Sequence, residues 1–235
     1  MDIKKQIPNT ITLLNLLCGC IALMFATQPD FELAFLFVCL GIFLDFFDGF
    51  FARLFKVTGP LGVQLDSLAD MVTSGVVPGI IMYVMLSNAS HATYLPYLGF
   101  IITLGSCYRL AKFNIDERQT DSFIGLPTPA NAIFIMSLPL VLQHTDSLLL
   151  LEALVTPWVL LVITFFSAFM LNAEIPLFSL KIKNFSLRNN AVQLIFLALS
   201  ILLLAFLQYT GIPLVIILYI LMSLISNARQ KNVSG

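Results

Sequence analysis

Apolar stretches about as long as a membrane-crossing helix occupy most of this sequence, and they exclude an ordinary soluble fold. Crossing the hydrocarbon core as a helix takes about 20 apolar residues. The chain is 59% hydrophobic and 11% charged, whereas soluble domains carry about 25% charged residues. We therefore predict an all-α, polytopic membrane bundle. Its eight apolar stretches cover roughly residues 10–27, 31–55, 65–87, 93–112, 127–143, 148–171, 191–208 and 212–227.

The basic residues test this number of spans, because cytoplasmic loops of membrane proteins are enriched in Lys and Arg. With a cytoplasmic N-terminus, eight spans place all 12 basic residues on the cytoplasmic side and none outside. They form no basic stripe that would indicate a nucleic-acid partner. We expect both termini to be cytoplasmic. The basic residues are Lys4, Lys5, Arg53, Lys56, Arg109, Lys112, Arg118, Lys181, Lys183, Arg188, Arg229 and Lys231.

Four aspartates lie near the predicted cytoplasmic ends of the second and third helices. Asp45 and Asp48 are three residues apart, and Asp66 and Asp70 are four apart, so each pair shares one helical face. An acidic residue at mid-membrane costs about 2.5–3.5 kcal/mol, and clustered carboxylates also repel one another. Divalent cations would offset both costs. Oxygen ligands favour Mg²⁺ or Mn²⁺ over zinc, and four aspartates could hold two ions.

Two other interpretations of the aspartates remain open at this point. They could line a wet interface or pair with Arg53 and Lys56, although four acids outnumber these bases. They could also form the intramembrane ion site of a cation transporter. Against transport, the acids cluster at one side of the membrane and no acids continue a path through the same helices.

Small residues follow the same face: Gly49, Ala52, Gly59 and Gly62. Small residues let membrane helices pack closely, and they would equally leave room for a flat nucleotide against the backbone. The sequence alone does not separate these two uses.

The acidic segment resembles the motif of the CDP-alcohol phosphotransferase family without departure. The motif reads Asp45-x2-Asp48-Gly49-x2-Ala52-Arg53-x8-Gly62-x3-Asp66-x3-Asp70. Looser matches extend this to residues 7–132 and are similar to the serine-using bacterial members. They are IPNTITLLNLLCG from Ile7, LDSLAD followed by VVPG, YRLAKFN from Tyr108, and GLPTPANA from Gly125.

The resemblance implies a reaction and a set of roles. A phosphatidyl group would pass from CDP-diacylglycerol to L-serine and release CMP. Asp45, Asp48 and Asp66 would bind metal, and Asp70 would complete the metal site and act as general base. The motif cannot exclude glycerol 3-phosphate or an inositol-type acceptor. The residues expected to contact the CDP-lipid are Asn9, Thr12, Gly49, Ala52, Arg53, Thr58, Gly59 and Gly62.

Arg109, Lys112 and Asn114 end the predicted fourth helix on the same side as the aspartates. They could bind the serine carboxylate or a lipid phosphate, or serve only as a positive-inside anchor. The resemblance further implies a homodimer among membrane lipids. We expect a bacterial inner-membrane enzyme whose site faces the cytoplasm. Residues 1–171 would form a six-helix catalytic core, and residues 172–235 an inner loop and two additional helices.

Overall fold

The computed structural model describes residues 3–116, 123–178 and 190–233, and this part of the chain is almost entirely helical. The predicted all-α class is therefore confirmed. Within these three ranges ten α-helices follow one another: α1 Ile3–Thr27, α2 Phe31–Leu54, α3 Pro60–Asp70, α4 Val77–Ala89, α5 Ile101–Phe113, α6 Thr128–His144, α7 Leu148–Val155, α8 Pro157–Asn172, α9 Ala191–Leu207 and α10 Gly211–Val233.

The helices are those of a multi-pass membrane protein. Within the described residues, four helical segments are long and apolar enough to cross a membrane, or five if α7 and α8 form one span bent by 76°. Length alone does not give eight separate spans among the described residues. Helix α6 has 17 residues and would rise about 26 Å in a hydrocarbon core of about 30 Å. Helix α5 has 13 residues, and α9 and α10 fall within one of the four segments, Ala191–Asn227. Of the predicted inner basic residues, Arg118, Lys181, Lys183 and Arg188 lie outside the described residues, as do the side chains of Lys4, Lys5, Arg229 and Lys231.

Local chemistry explains where the first helices begin and end. The Asp30 side chain accepts a hydrogen bond of 3.2 Å from the backbone N–H of Leu33 and so caps α2. Pro60 opens α3, at a position where its missing N–H costs no helical hydrogen bond. Between them the chain turns at Lys56, whose φ is 56°. The turn brings the end of α2 close to the beginning of α3.

Helix α1 packs against both α2 and α3. Close approach depends on Gly41 of α2, because a Cβ there would lie 2.8 Å from both Asn15 Oδ1 and Thr73 Cγ2. Thr73 belongs to a π-helical turn, Met71–Val76, that joins α3 to α4. Such turns are frequent at functional sites. Helices α2, α3 and α4 and the π-helical turn therefore all pack against α1.

The remaining helices complete the bundle in two parts. A main apolar core joins α1, α2, α4, α5, α6, α7 and α8. A second apolar cluster forms where α10 meets a short antiparallel pair of strands, β1 Phe123–Ile124 and β2 Pro176–Leu177. Helices α9 and α10 reverse direction at Gln208, whose φ is 46°. The sequence analysis did not predict the strand pair.

Candidate active site

Three aspartate side chains meet where α2 and α3 approach each other. Asp45, Asp48 and Asp66 each place one carboxylate oxygen within 4.8 Å of the other two. Two come from one face of α2 and the third from α3, as their spacing predicts. Asp48 is buried, and the other two are half-buried. The arrangement concentrates negative charge at one point.

This group of side chains fits a divalent cation better than it fits internal ion pairing. Within the part of the chain that the structure describes, no Lys, Arg or His forms an ion pair with these three carboxylates. The alternative of pairing with Arg53 or Lys56 is therefore not supported, although Arg53 interacts electrostatically with Asp48. Three converging carboxylates without a cation would repel one another in a partly buried setting. Hard oxygen ligands suit Mg²⁺ or Mn²⁺.

Helix α1 contributes two polar side chains that hold the aspartates. Thr12 Oγ1 donates a hydrogen bond of 2.5 Å to Asp48 Oδ2. Asn15 Nδ2 donates one of 3.3 Å to Asp70 Oδ1. Asp70 is itself buried and is not a member of the three-carboxylate group. Its carboxylate accepts from Asn15 of α1 and interacts electrostatically with Asp66, Asp48 and Arg109.

The small residues of the motif lie beside open space and are not tightly packed against another helix. A Cβ added to Gly59 would meet nothing within 4 Å, so close helix packing does not explain this glycine. At Gly62 the nearest atom would be Asn9 Oδ1 at 3.7 Å, and at Gly49 it would be Arg53 Nη1 at 3.3 Å. The predicted CDP-binding residues Ala52 and Thr58 are half-buried and exposed, respectively. The track is thus accessible beside the acidic group.

The three predicted acceptor residues at the end of α5 have different surroundings. Arg109 is 7% exposed, and its Nη1 donates a hydrogen bond of 3.2 Å to Thr128 Oγ1 of α6. Among the described residues, its Nε and Nη2 have no hydrogen-bond partner. Lys112 forms an ion pair of 3.3 Å with Glu174 near the surface. Asn114 Nδ2 donates to Ser67 Oγ at 2.9 Å and so ties α5 to α3 beside Asp66.

A family model described as CDP-alcohol phosphatidyltransferase matches residues 5–170. These residues hold the acidic group, the small-residue track and Arg109. The chain belongs to the CDP-alcohol phosphatidyltransferase family. The resemblance found in the motif is thereby confirmed over most of the chain. The match ends near the predicted division at residue 171, but that division remains a prediction.

Curated relatives of this phosphatidyltransferase carry the name CDP-diacylglycerol–serine O-phosphatidyltransferase. A Bacillus subtilis protein is 41% identical over 130 residues, which are 53% of this chain and 70% of the relative. A Helicobacter pylori protein is 34% identical over 131 residues, 55% of each chain. A Methanocaldococcus jannaschii protein is 31% identical over 130 residues, 55% of this chain and 58% of the relative. The similarity thus spans just over half the length of the latter two.

One polar residue of this phosphatidyltransferase site was not identified from the sequence. Asn15 lies inside the apolar run of α1 and is completely buried. A buried amide in a membrane helix needs partners. Asn15 Nδ2 donates to Asp70, whereas Asn15 Oδ1 has no hydrogen-bond partner among the described residues. Its isolated position among leucines, two turns after Asn9, was the available signal. The roles assigned to the other predicted residues remain predictions, now with known positions.

Proposed function

We propose that this protein transfers the phosphatidyl group of CDP-diacylglycerol to L-serine, producing phosphatidylserine and CMP. The observation that carries the proposal is the convergence of Asp45, Asp48 and Asp66 within 4.8 Å in a chain of the phosphatidyltransferase family. The serine transferase names of its relatives favour serine as the acceptor over glycerol 3-phosphate or an inositol-type alcohol.

Under this proposal the acidic group holds Mg²⁺ or Mn²⁺. Asp45, Asp48 and Asp66 supply hard oxygen ligands, and Asp70 would complete a site for two ions. When bound, the cations would neutralise the diphosphate of the CDP-lipid and so favour departure of CMP. Thr12, bonded to Asp48 at 2.5 Å, fixes the orientation of one ligand carboxylate.

The CDP portion of the lipid would lie along the open small-residue track. Gly49, Ala52, Gly59 and Gly62 leave space beside the backbone, and Arg53 supplies a fixed positive charge to phosphate oxygens. Asn9 and Thr12 would face the nucleotide from α1, and Thr58 from the α2–α3 turn. The contact between the Gly62 position and Asn9 supports a shared surface here.

The chemical step requires activation of the serine hydroxyl, a weak nucleophile. Serine Oγ forms the new bond to the lipid phosphorus, the bond from that phosphorus to the CMP oxygen breaks, and the hydroxyl proton passes to Asp70. Asn15 orients the Asp70 carboxylate through its hydrogen bond of 3.3 Å. Burial of both residues limits rotation of the carboxylate away from the reacting hydroxyl.

Arg109 is the residue best placed to receive the serine carboxylate. Its guanidinium is buried, interacts with Asp70, and keeps two nitrogens, Nε and Nη2, without a hydrogen-bond partner among the described residues. A carboxylate would satisfy both groups by bidentate hydrogen bonding. Lys112 and Asn114 would contribute less directly, because each already binds a neighbouring side chain.

We also propose the setting of the reaction. The protein would be a homodimer in the bacterial inner membrane, with both termini and the site on the cytoplasmic side. CDP and serine would reach the aspartates from the cytosol, while the acyl chains remain in the bilayer. The distribution of basic residues supports this orientation.

An acceptor panel tests the proposed function. Purified protein in detergent would receive CDP-diacylglycerol with serine, glycerol 3-phosphate or inositol phosphate, and released CMP would be measured. We expect CMP and phosphatidylserine in equal amounts with serine and little CMP with the other alcohols. Turnover with another alcohol but not with serine would contradict the acceptor assignment. Movement of cations across vesicles without CMP release would favour a transporter.

A further inference from the structure

One face of α10 carries three polar side chains that form hydrogen bonds with the segment around β2. Tyr219, Ser223 and Asn227 are four residues apart and therefore share a face of the helix. The Tyr219 hydroxyl donates to Phe178 O at 3.0 Å, and the Phe178 N–H donates to Ser223 Oγ at 3.4 Å. Asn227 Nδ2 donates to Pro176 O at 2.5 Å. We call these three residues the α10 ladder.

The segment around β2 is connected to the beginning of α6. β2 pairs with β1, with Phe123 opposite Leu177 and Ile124 opposite Pro176. The next residue, Gly125, donates its backbone N–H to Ile175 O at 2.9 Å. A displacement of β2 would therefore displace the chain that enters α6.

The start of α6 in turn positions Arg109. Thr128, the first residue of α6, is fully buried and accepts the hydrogen bond from Arg109 Nη1. Tyr219 also packs in the second apolar cluster with Leu177 and with Leu126, which lies two residues before Thr128. The ladder is thus linked to Arg109 through Thr128.

We propose that α10, which lies beyond the residues matched by the family model, is a positioning element for the acceptor end of the active site. The α10 ladder fixes the β1–β2 pair and, through Thr128, the orientation of the Arg109 guanidinium. The inference rests on the proposed role of Arg109 in binding the acceptor's carboxylate. It assigns to the additional C-terminal helices an effect on acceptor affinity, distinct from the metal and CDP contacts of α1, α2 and α3.

The test combines two substitutions that remove hydroxyl groups of the α10 ladder and leave the rest of each side chain in place. Tyr219→Phe keeps the ring in the apolar cluster, and Ser223→Ala removes only a hydroxyl. In the full-length double variant we expect the KM for serine to rise about tenfold. The KM for CDP-diacylglycerol and the unfolding temperature in detergent should stay close to the wild-type values. Ser200→Ala is the matched control, because Ser200 belongs to α9 and its Oγ has no partner among the described residues.

A second variant tests the path to Arg109. Thr128→Val removes the oxygen that Arg109 binds, and alone it should also raise the serine KM. The triple variant combines Thr128→Val with the two ladder substitutions. Because both sets of changes act on the same guanidinium, its serine KM should rise by less than the product of the two separate fold-increases. If the two fold-increases in serine KM multiply in the triple variant, the ladder does not act on Arg109 through Thr128.

The results separate this inference from the proposed function. An active wild type whose double variant keeps the serine KM, or loses only kcat, contradicts the ladder alone. A wild type that releases no CMP with serine contradicts the proposed function and, with it, the role given to Arg109.

Discussion

Asn15 on α1 donates a hydrogen bond of 3.3 Å to the carboxylate of Asp70 on α3, and both side chains are buried. The two residues are 55 positions apart in the chain. Gly41 permits the approach, because any side chain there would collide with Asn15. A buried carboxylate held by one neutral donor, beside three other carboxylates, is suited to accept a proton from a substrate hydroxyl.

Asp70→Asn should remove turnover while leaving the amount of folded protein and the binding of CDP-diacylglycerol nearly unchanged. The amide keeps the shape of the side chain but cannot accept the hydroxyl proton. CMP release and CDP-lipid binding measured on the same purified sample check this. Appreciable residual turnover would remove Asp70 from the role of general base.

Asn15→Ala should lower kcat by about tenfold, because it removes one hydrogen bond that orients the Asp70 carboxylate. The KM for CDP-diacylglycerol should change little, because Asn15 touches Asp70 rather than the nucleotide track. Leu14→Ala provides a control on the same helix, since Leu14 is exposed on the membrane-facing surface. An unchanged kcat in Asn15→Ala would show that the hydrogen bond has no role in orientation.

The sequence predicted the acidic group because its determinants are local. Spacings of three and four along two helices decide which side chains share a face, and the short turn at Lys56 brings those faces together. Asn15 and Thr12 could not be paired with their aspartates in advance. Those contacts depend on how α1 packs against α2 and α3, which no local pattern specifies.

Gly125→Ala should destabilise the protein by about 1–3 kcal/mol, because an L side chain is strained at a φ of 76°. The added Cβ would also lie 2.6 Å from Leu171 O. The unfolding temperature in detergent measures the effect. Gly59→Ala is the matched control, because a Cβ there meets nothing within 4 Å. Equal unfolding temperatures for the two variants would contradict the tight turn before α6.

Arg109→Ala should raise the KM for serine at least about tenfold, or abolish turnover, while CDP-diacylglycerol still binds. The substitution removes a buried cation whose free N–H groups suit a carboxylate. Cys107→Ala, on the exposed side of the same helix, is the control. If the kinetics for both substrates are unchanged in Arg109→Ala, this residue is only a membrane anchor.

The surroundings of the acceptor residues were beyond the reach of the sequence. Lys112 pairs with Glu174, which is 62 residues away, and the α10 ladder binds backbone atoms more than 40 residues earlier. The strand pair that connects them has only two residues in each strand, too few for an alternating pattern. Long-range pairing of this kind is decided by the packed bundle and leaves no periodic signal.

The dependence of CMP release on divalent cations tests the central claim most directly. Purified protein would be stripped with a chelator, supplied with CDP-diacylglycerol and serine, and then titrated with Mg²⁺ or Mn²⁺. We predict no CMP release after chelation and recovery on addition of either cation, with Asp66→Asn failing to recover at the same concentration. Full CMP release from the stripped wild type would contradict a reaction that depends on cations held by Asp45, Asp48 and Asp66.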